Sequence, residues 1–299
     1  MPLCTIHQFV PAPCLPVGSA LSQYGRADVD AGRRTGVLPH KMTQDRNGAL
    51  ERELSYHERL YAGFAQSHFA RPAVRALRRH MVDRMVRVLS LNGASMVLSL
   101  GCGVGDTELL LAPRVGRVVG IDLSPSGVRQ ANADAARLGI ANAEFVEGAF
   151  QDMRDLPAAD AVIAIFFLHH LPDAVLAEMP ARLAQMLKPG GMFYSLDPSR
   201  QRLSGKVGRL LIPGLMKRYQ TEDERELDPG WTEELFRKAG FDARGEMYDF
   251  ASSPLAGVFP GWRFGYRATR AMDDAILRIP GLRNLGSNFE IIARRRARR

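Results

Sequence analysis

VLSLGCGVGD at residues 97–106 and GID at residues 120–122 are the two stretches that decide the fold of this chain. In the first, an apolar run predicts a strand, and the glycines that follow predict a loop leading into a helix. The second predicts another strand, which ends in the carboxylate of Asp122. Glycines let the backbone pass close to a ligand and expose amides at a helix N-terminus, and a carboxylate about 20 residues further on can accept hydrogen bonds from both ribose hydroxyls. The pattern therefore predicts a site for a nucleotide-type cofactor.

The spacing of the glycines discriminates between two classes of such cofactors. A dinucleotide site has the pattern G-x-G-x-x-G, in which the helix start faces a pyrophosphate. Here the loop reads G-C-G-V-G-D, and Asp106 lies where the phosphates would be. This opposes a dinucleotide, because like charges at short range are costly in a partly dry site. S-adenosylmethionine has no phosphate and carries a cationic amino group and a sulfonium, so an acidic loop suits it. At these residues the chain resembles the class I S-adenosylmethionine-dependent methyltransferases, and S-adenosyl-L-methionine is the cofactor we expect.

Two further motifs support the resemblance, which covers roughly residues 95–295. FFLHHLP at 166–172 resembles a stretch found in many small-molecule methyltransferases, and KPGG at 188–191 resembles a turn that is common in the class. The resemblance implies an α/β fold, a seven-stranded, mostly parallel, doubly wound Rossmann-like sheet with an N-terminal helical cap and a C-terminal lid insertion. The alternation of apolar runs with helical segments indicates the same parallel sheet. In the family fold the final strand, expected at 287–293, is antiparallel to its neighbour.

The resemblance also implies which residues bind the cofactor. Gly101, Gly103 and Gly105 correspond to the loop under its methionine part, and Asp122 corresponds to the carboxylate that holds the ribose hydroxyls. The other cofactor-binding positions that we expect are Asp106, Leu123, Ala149, Phe150 and Ile165.

Two residues depart from the family's pattern at this site. Ser99 stands where the family usually has an acidic residue, two positions before the first glycine. Asp106 is then expected either to hold the cofactor's ammonium or to cap the N-terminus of the next helix. Ala149 stands at the acidic position of the usual G-D-A pattern, so adenine must be held by other groups. Phe150 can pack on the adenine ring or belong to the core, and both interpretations stay open.

By family position the candidates for a catalytic base are His57 and Tyr56 in the cap helix and His169 or His170 in the loop, and we select His169 and His57. His169 lies in the FFLHHLP stretch, which the family places near the acceptor, and His57 lies in the polar-aromatic segment 55–61, where related enzymes close over the cofactor. The alternatives are a histidine that only shapes its loop and a plain amphipathic helix. Methyl transfer requires a base only when an oxygen, a nitrogen or an acidic carbon must lose a proton. The methylated atom, and with it the need for a base, stays open.

Composition narrows the class of protein further. The chain has 299 residues, 46% of them hydrophobic, and no apolar stretch of 18 or more residues, so we expect a large core and no transmembrane segment. The net charge is +8, but five arginines at 294–299 contribute to it, and +3 remains without them. The three cysteines show no C-x-x-C spacing. We therefore expect neither a disulfide scaffold nor a metal site, and a cytoplasmic location.

The chain divides into four predicted segments. They are a disordered N-terminal extension at 1–45, a helical cap at 46–94, a methyltransferase domain at 95–295 with insertions at about 200–219 and 255–285, and a basic tail at 296–299. Met42 precedes the first well-patterned segment, so a start at Met42 is a hypothesis that native peptides from before it would contradict. The aromatic-rich second insertion is a candidate lid over an apolar acceptor pocket, and packing in a homodimer is the alternative.

These features together predict an enzyme that transfers a methyl group from S-adenosylmethionine to a small organic acceptor, in specialised or lipid-like metabolism. An RNA or protein methyltransferase and a non-catalytic cofactor-binding module are the alternatives. A nucleic-acid partner is not expected, since the sequence shows no separate RNA-binding module and no N-P-P-Y motif for a flipped base. An NAD-dependent oxidoreductase would need the dinucleotide loop that the sequence lacks.

Overall fold

The protein is described by a computed structural model that covers Ser55, Glu58 and residues 68–153, 156–202 and 226–296. Within these residues the strands are β1 (Met96–Leu100), β2 (Arg117–Asp122), β3 (Ala143–Glu147), β4 (Ala159–Ile165), β5 (Leu187–Pro198), β6 (Phe241–Asp249) and β7 (Asn288–Arg295). They form one sheet in the order β3-β2-β1-β4-β5-β7-β6. β7 runs antiparallel to both of its neighbours, and the other pairs are parallel. This confirms the predicted seven-stranded, mostly parallel sheet, including its antiparallel final strand.

Helices cover both faces of the sheet. They are α1 (Pro72–Val88), α2 (Glu108–Leu111), α3 (Pro125–Arg137), α4 (Asp173–Met186), α5 (Pro229–Lys238), α6 (Ser252–Val258) and α7 (Arg263–Ile276). On one face Leu98 and Phe193 pack against α4 and α5, and on the other face their neighbours Val97 and Tyr194 pack against α1, α6 and α7. Successive side chains of a strand point to opposite faces, which explains why both neighbours are buried. The sheet is therefore doubly wound.

α1 packs on the sheet through an apolar stripe. Its first residue is Pro72, which fits the first turn because its missing N–H has no partner there. Leu77, Met81 and Met85 recur every four residues and are buried against the sheet. This stripe is therefore the buried face of α1.

A buried ion pair also joins α1 to the sheet. The Arg84 guanidinium contacts the Glu290 carboxylate on β7 and lies 2.8 Å from Glu246 Oε2 on β6. Glu290 is fully buried and also accepts a hydrogen bond from the Tyr194 hydroxyl at 2.9 Å. The hydrogen bond to Glu290 raises the pKa of Arg84 above its ordinary value. The guanidinium therefore stays charged and holds α1 over β7.

Two local elements differ from the sequence-based prediction. The helix expected from about residue 105 is shortened to α2, which gives way to a 3₁₀ turn at Ala112–Arg114, because Pro113 has no N–H with which to continue the α-helix. The KPGG stretch does not precede β5 but lies inside it. There the pairing of β5 with β4 shifts register between Ala159 and Ala161, and Gly190 adopts φ +78°. The expected turn is thus an irregularity within a strand.

Several predicted segments fall outside the described residues, namely the extension at 1–45 and most of the insertion at 200–219. Arg294 and Arg295, which the sequence grouped with the arginine-rich end, belong to β7. The second insertion contains α7 and a 3₁₀ turn at Leu282–Leu285, and Tyr266 of α7 is buried against α1. None of the helices in the described ranges combines the length and apolarity that a bilayer crossing requires.

Candidate functional site

The predicted cofactor residues meet at one edge of the sheet. Gly101 follows β1, Asp122 ends β2, Ala149 lies two residues after β3, and Ile165 ends β4. The strand order reverses between β1 and β4, and parallel strands carry their carboxyl ends to the same edge. In open α/β sheets ligands bind at such a switch point, outside the carboxyl ends of the strands. The structure therefore brings these residues together at the switch point, where a ligand crevice is expected.

The glycine loop needs its three glycines for backbone conformation. Gly101, Gly103 and Gly105 have φ values of +68°, +53° and +73°, in the left-handed region that other residues rarely adopt. A Cβ on Gly101 would lie 2.3 Å from the Phe167 ring, and one on Gly105 would lie 2.7 Å from the Phe145 ring. Side chains are thus excluded at both ends of the loop, and the backbone is left as its ligand-facing surface.

Asp122 is held rigidly at the end of β2. Its Oδ2 accepts a hydrogen bond from the Gly103 amide at 2.7 Å, and its Oδ1 accepts one from the Ser124 amide at 2.9 Å. A carboxylate offers about four lone-pair sites, so one oxygen can accept more than one hydrogen bond. Leu123, next in the chain, is partly exposed. The Asp122 carboxylate is therefore fixed in position at the edge of the sheet, and its ribose role stays a prediction.

A second carboxylate lies beneath the glycine loop. The Ser99 hydroxyl donates a hydrogen bond of 2.5 Å to Oε1 of Glu108, which is 2% exposed. Burial raises the pKa of Glu108 to about 7, although the bond from Ser99 opposes the shift. Glu108 Oε2 is buried and has no hydrogen-bond partner among the described residues. An acidic group therefore does lie beside Ser99, but it comes from Glu108, which the sequence pattern did not reveal.

Asp106 has a partner that the sequence did not reveal. Its Oδ2 lies 2.8 Å from Nε of Arg78 on α1, and Arg78 also donates to the Thr107 hydroxyl at 3.1 Å. The N-cap of α2 is Thr107, not Asp106, so the capping alternative is wrong. The Arg78 guanidinium also lies over the Phe166 ring, 5.9 Å from its centroid. Because Arg78 offsets its charge, Asp106 is less suited than Glu108 to hold an ammonium, and that assignment stays a prediction.

Ala149 and Phe150, the residues predicted to lie near the adenine, have different surroundings in the structure. Ala149 is partly exposed in the turn after β3, where the Gly148 amide donates to the Asp122 carbonyl at 2.9 Å. The Phe150 ring is 4% exposed and packs edge to face on Phe167, with 5.7 Å between centroids. The structure therefore favours the core interpretation for the Phe150 ring and leaves Ala149 open to a ligand.

The loop after β4 carries backbone strain. Ile165 is buried at the end of the strand, and Phe166 then adopts φ +53°, while its amide donates to the Leu196 carbonyl at 2.7 Å. A non-glycine residue in this region costs about 1–3 kcal/mol, and such residues cluster at functional sites. The strained turn leads into a 3₁₀ turn at Leu168–His170, which brings His169 to the end of β5.

His169 forms a buried pair with Asp197 at the end of β5. The imidazole Nδ1 lies 3.0 Å from Asp197 Oδ1, and the His169 amide donates to the same oxygen at 3.3 Å. Both residues are buried, and the His170 ring lies 4.0 Å from that of His169. A carboxylate acceptor at Nδ1 favours the tautomer with the proton on Nδ1, which leaves Nε2 as the basic nitrogen. Asp197 was missed by the sequence analysis, although a carboxylate at the end of a strand was a visible signal.

The second predicted base, His57, lies outside the described residues. Its neighbour Glu58 is described and accepts hydrogen bonds from the Ser124 hydroxyl, at 2.5 Å, and from the Ser126 amide, at 3.2 Å. The bond from Ser124 lowers the pKa of Glu58, which is therefore charged. The N-terminal segment thus contacts the start of α3, two residues beyond Asp122.

Comparison with known proteins agrees with this geometry. Residues 97–191, which include β1 to β4, match the family described as "Methyltransferase domain". A ubiquinone biosynthesis O-methyltransferase from Xylella fastidiosa (strain M23) is 31% identical over 144 residues, which cover 48% of this chain and 57% of that protein. An S-adenosyl-L-methionine-dependent Diels-Alderase from Talaromyces variabilis, iccD, is 32% identical over 133 residues, 44% of this chain and 45% of that one. The chain spans about half the length of these curated relatives.

A solved structure shows how far the fold extends. The DhpI–SAH complex has a TM-score of 0.54 with 17% identity and covers 84% of this chain and 99% of its own. At that identity the likeness concerns the fold alone. The switch-point crevice and its glycine loop define a Rossmann-like nucleotide-cofactor domain. The family match then identifies residues 97–191 as a methyltransferase domain, and its fold is that of the Rossmann-like methyltransferases.

Proposed function

We propose that this protein transfers a methyl group from S-adenosylmethionine to a small organic acceptor. The observation that carries the proposal is the arrangement of the glycine loop, Asp122 and Glu108 around one crevice at the switch point. Two carboxylates and a bare backbone suit a ligand with a ribose, an amino group and no phosphate. A dinucleotide has no ammonium group, so its site would not need the buried Glu108 oxygen that lacks a partner among the described residues.

The residues fit the cofactor part by part. Asp122 would accept the ribose hydroxyls, and Glu108, on releasing its proton, would accept the ammonium through its buried Oε2. Leu123 and Ala149, both partly exposed, would border the adenosine, with Ile165 at the end of the adjoining strand. When bound, S-adenosylmethionine supplies a methyl group on sulfonium that is already activated for attack. The chain's own task is then to hold the acceptor in line and exclude water.

His169 is the group that would remove a proton from an acceptor. With Nδ1 bound to Asp197, Nε2 can take the proton, and the Asp197 carboxylate then stabilises the imidazolium that forms. Both residues are buried, so this stabilisation is stronger than it would be in water. The pair suits an acceptor hydroxyl or amine, whereas a thioether would need no base.

The relatives' names support a small organic acceptor without fixing which one. One is named for ubiquinone biosynthesis and another for a Diels-Alder reaction that depends on S-adenosylmethionine. The second name describes a cofactor-dependent protein with a different reaction, so cofactor binding alone does not test methyl transfer. We also propose that the protein acts in specialised or lipid-like metabolism. Its cysteine usage supports a cytoplasmic location, which belongs to the same proposal.

Two measurements test the proposal in sequence. Calorimetry should show binding of S-adenosylmethionine and S-adenosylhomocysteine and no binding of NAD. A screen of small organic acceptors with S-adenosylmethionine carrying a labelled methyl group should then give labelled product. Cofactor binding with no transfer to any small acceptor, but with transfer to RNA or protein, would replace the proposed acceptor class. Failure to bind S-adenosylmethionine would overturn the proposal as a whole.

A further inference from the structure

An exposed aromatic segment joins α6 to α7. In the stretch from Val258 to Phe264, which we name the aromatic tip, Phe259 is 54% exposed, Trp262 is 53% exposed and Phe264 is 76% exposed. Single exposed apolar residues are ordinary, but three large aromatics within six residues form a patch. Such patches mark surfaces that bind another apolar phase or partner.

The aromatic tip is held in place by its own contacts. The Trp262 ring lies so close over Gly265 that a Cβ there would be 2.2 Å from the indole, and it packs edge to face with Phe259 at 6.3 Å between centroids. The Pro260 carbonyl accepts a hydrogen bond of 2.8 Å from the Ala73 amide at the start of α1. The tip is therefore a built surface that the helices α1 and α7 support jointly.

Next to the tip lies a basic groove. It is a cavity of about 580 Å³ between α1 and α7, and the exposed Arg75 and Arg79 line it from α1, while the exposed Arg263 and Arg267 line it from α7. Both pairs have the i, i+4 spacing that places side chains on one helix face. Among the described residues none of these four arginines forms an ion pair.

The groove's other charged residues are already neutralised. Its fifth arginine, Arg270, is buried and pairs with Asp274 at 2.7 Å. Its acidic residue, Asp83, pairs with Arg114 at 2.9 Å. The four unpaired guanidiniums therefore give the groove a net positive surface whose charge complement is an anion with several phosphates or carboxylates.

We propose that the aromatic tip and the basic groove together bind the surface of an anionic phospholipid bilayer. The four arginines contact headgroup phosphates, and Phe259, Trp262 and Phe264 enter the interface between headgroups and acyl chains. Aromatic side chains prefer this depth, and each basic residue near an anionic surface adds attraction. A double-stranded nucleic acid would use the arginines but leave the aromatic tip in water, and a second copy of the same face would bring like charges together.

The surface adjoins the crevice of the methyltransferase domain. Arg78, which contacts Asp106 of the glycine loop, lies on α1 between Arg75 and Arg79. A bilayer bound at the groove would therefore contact the same helix that contacts the glycine loop. Binding of the bilayer itself does not depend on methyl transfer.

Tryptophan fluorescence of the full chain tests the proposal. The chain has two tryptophans, so Trp231→Phe leaves Trp262 as the only one. Vesicles of phosphatidylcholine with added phosphatidylglycerol should shift the Trp262 emission to the blue and sediment the protein, whereas vesicles of phosphatidylcholine alone should do so weakly. Equal behaviour with both vesicle types, or no shift with either, would overturn the proposal.

Variants separate the two parts of the surface. Arg263→Ala with Arg267→Ala should weaken binding to the anionic vesicles about 30-fold, on the order expected for two basic residues. Phe259→Ser with Phe264→Ser should remove the blue shift and much of the sedimentation. The matched control is Arg117→Ala with Arg137→Ala, which removes two exposed arginines elsewhere and should leave binding unchanged.

Two other binding partners of this surface, a nucleic acid and a second copy of the chain, would give distinct results. Tight binding of a short RNA without vesicle binding would replace the bilayer by a nucleic acid. A concentration-dependent dimer that the Phe259 and Phe264 substitutions abolish, again without vesicle binding, would assign the tip to a second copy. A third outcome is that the Arg117→Ala with Arg137→Ala control loses as much vesicle binding as the Arg263→Ala with Arg267→Ala variant. That result would show that only net charge matters, and it would overturn the proposal.

Discussion

The Ser99 hydroxyl donates a 2.5 Å hydrogen bond to the buried Glu108 carboxyl, and this contact reconciles an unusual sequence with the family's site. The side chain of Ser99 is short and uncharged, so it cannot form an ion pair with an ammonium. It instead orients the Glu108 side chain, whose second oxygen has no partner in the described part of the chain. Glu108, nine positions along the chain from Ser99, is therefore the acid that we propose for the ammonium.

Glu108→Gln should weaken the binding of both S-adenosylmethionine and S-adenosylhomocysteine by about tenfold to 100-fold, the range for a lost hydrogen bond to a charged group. Glutamine can still accept the bond from Ser99, so the fold should be preserved. Calorimetry measures the affinities. 5′-Methylthioadenosine, which lacks the amino acid part, should bind the variant as well as the wild type.

Asp106→Asn is the matched variant for that experiment. Asp106 is paired with Arg78, so its loss should weaken S-adenosylmethionine binding less than Glu108→Gln does. A larger loss in Asp106→Asn would assign the ammonium to Asp106, as the sequence alone suggested.

The free energy of unfolding should depend on pH through Glu108. Burial raises the pKa of this carboxyl from 4.5 to about 7, so the folded state keeps a proton that the unfolded state releases. The stabilisation from this proton is complete below about pH 4.5 and is lost as the pH rises to about 7, in total about 3 kcal/mol. Urea denaturation across this range should show the decline in the wild type, and Glu108→Gln should lack that part of it. Parallel curves for the two proteins would contradict the buried, protonated Glu108.

Asp122→Ala should weaken S-adenosylmethionine binding at least tenfold, because about 1.4 kcal/mol of charge-assisted hydrogen bonding is lost. The substitution also frees the amides of Gly103 and Ser124, which the carboxylate orders. Glu147→Ala, an exposed carboxylate at the end of the neighbouring strand β3, is the control and should bind normally. Unchanged affinity in Asp122→Ala would reject the ribose assignment.

Much of the fold follows from local sequence, whereas several partners in the site do not. The run from Met96 to Leu100 and the glycines after it specify strand and loop through periodicity and backbone conformation, so both were predicted. Arg78 contacts Asp106 from another helix, and Asp197 contacts His169 from another strand, and no local pattern reports such pairs. Predicting them requires the tertiary arrangement, in which β4 lies beside β5 and α1 contacts the glycine loop.

His169→Ala should lower the rate constant of transfer to an oxygen or nitrogen acceptor by about 10²- to 10⁴-fold, the usual contribution of a general base. The affinity for S-adenosylmethionine should stay the same, since His169 is not assigned to the cofactor. Asp197→Asn should also slow transfer and alter the pH dependence of kcat, because an amide cannot stabilise the imidazolium by charge. His170→Ala is the neighbouring control, with a smaller expected effect. Full activity of both His169→Ala and Asp197→Asn on such an acceptor would exclude the pair as base.

Arg84→Ala should destabilise the protein by about 3–5 kcal/mol, because it leaves the fully buried Glu290 carboxylate without its cation. Tyr194→Phe removes only one hydrogen bond to the same carboxylate and should cost about 0.5–1.5 kcal/mol. Urea denaturation monitored by circular dichroism gives both values. Arg79→Ala, an exposed arginine on the same helix, controls for helix propensity and should change stability by less than about 0.5 kcal/mol. Equal stability of Arg84→Ala and Arg79→Ala would show that α1 is held by its apolar stripe alone, with no contribution from the buried ion pair.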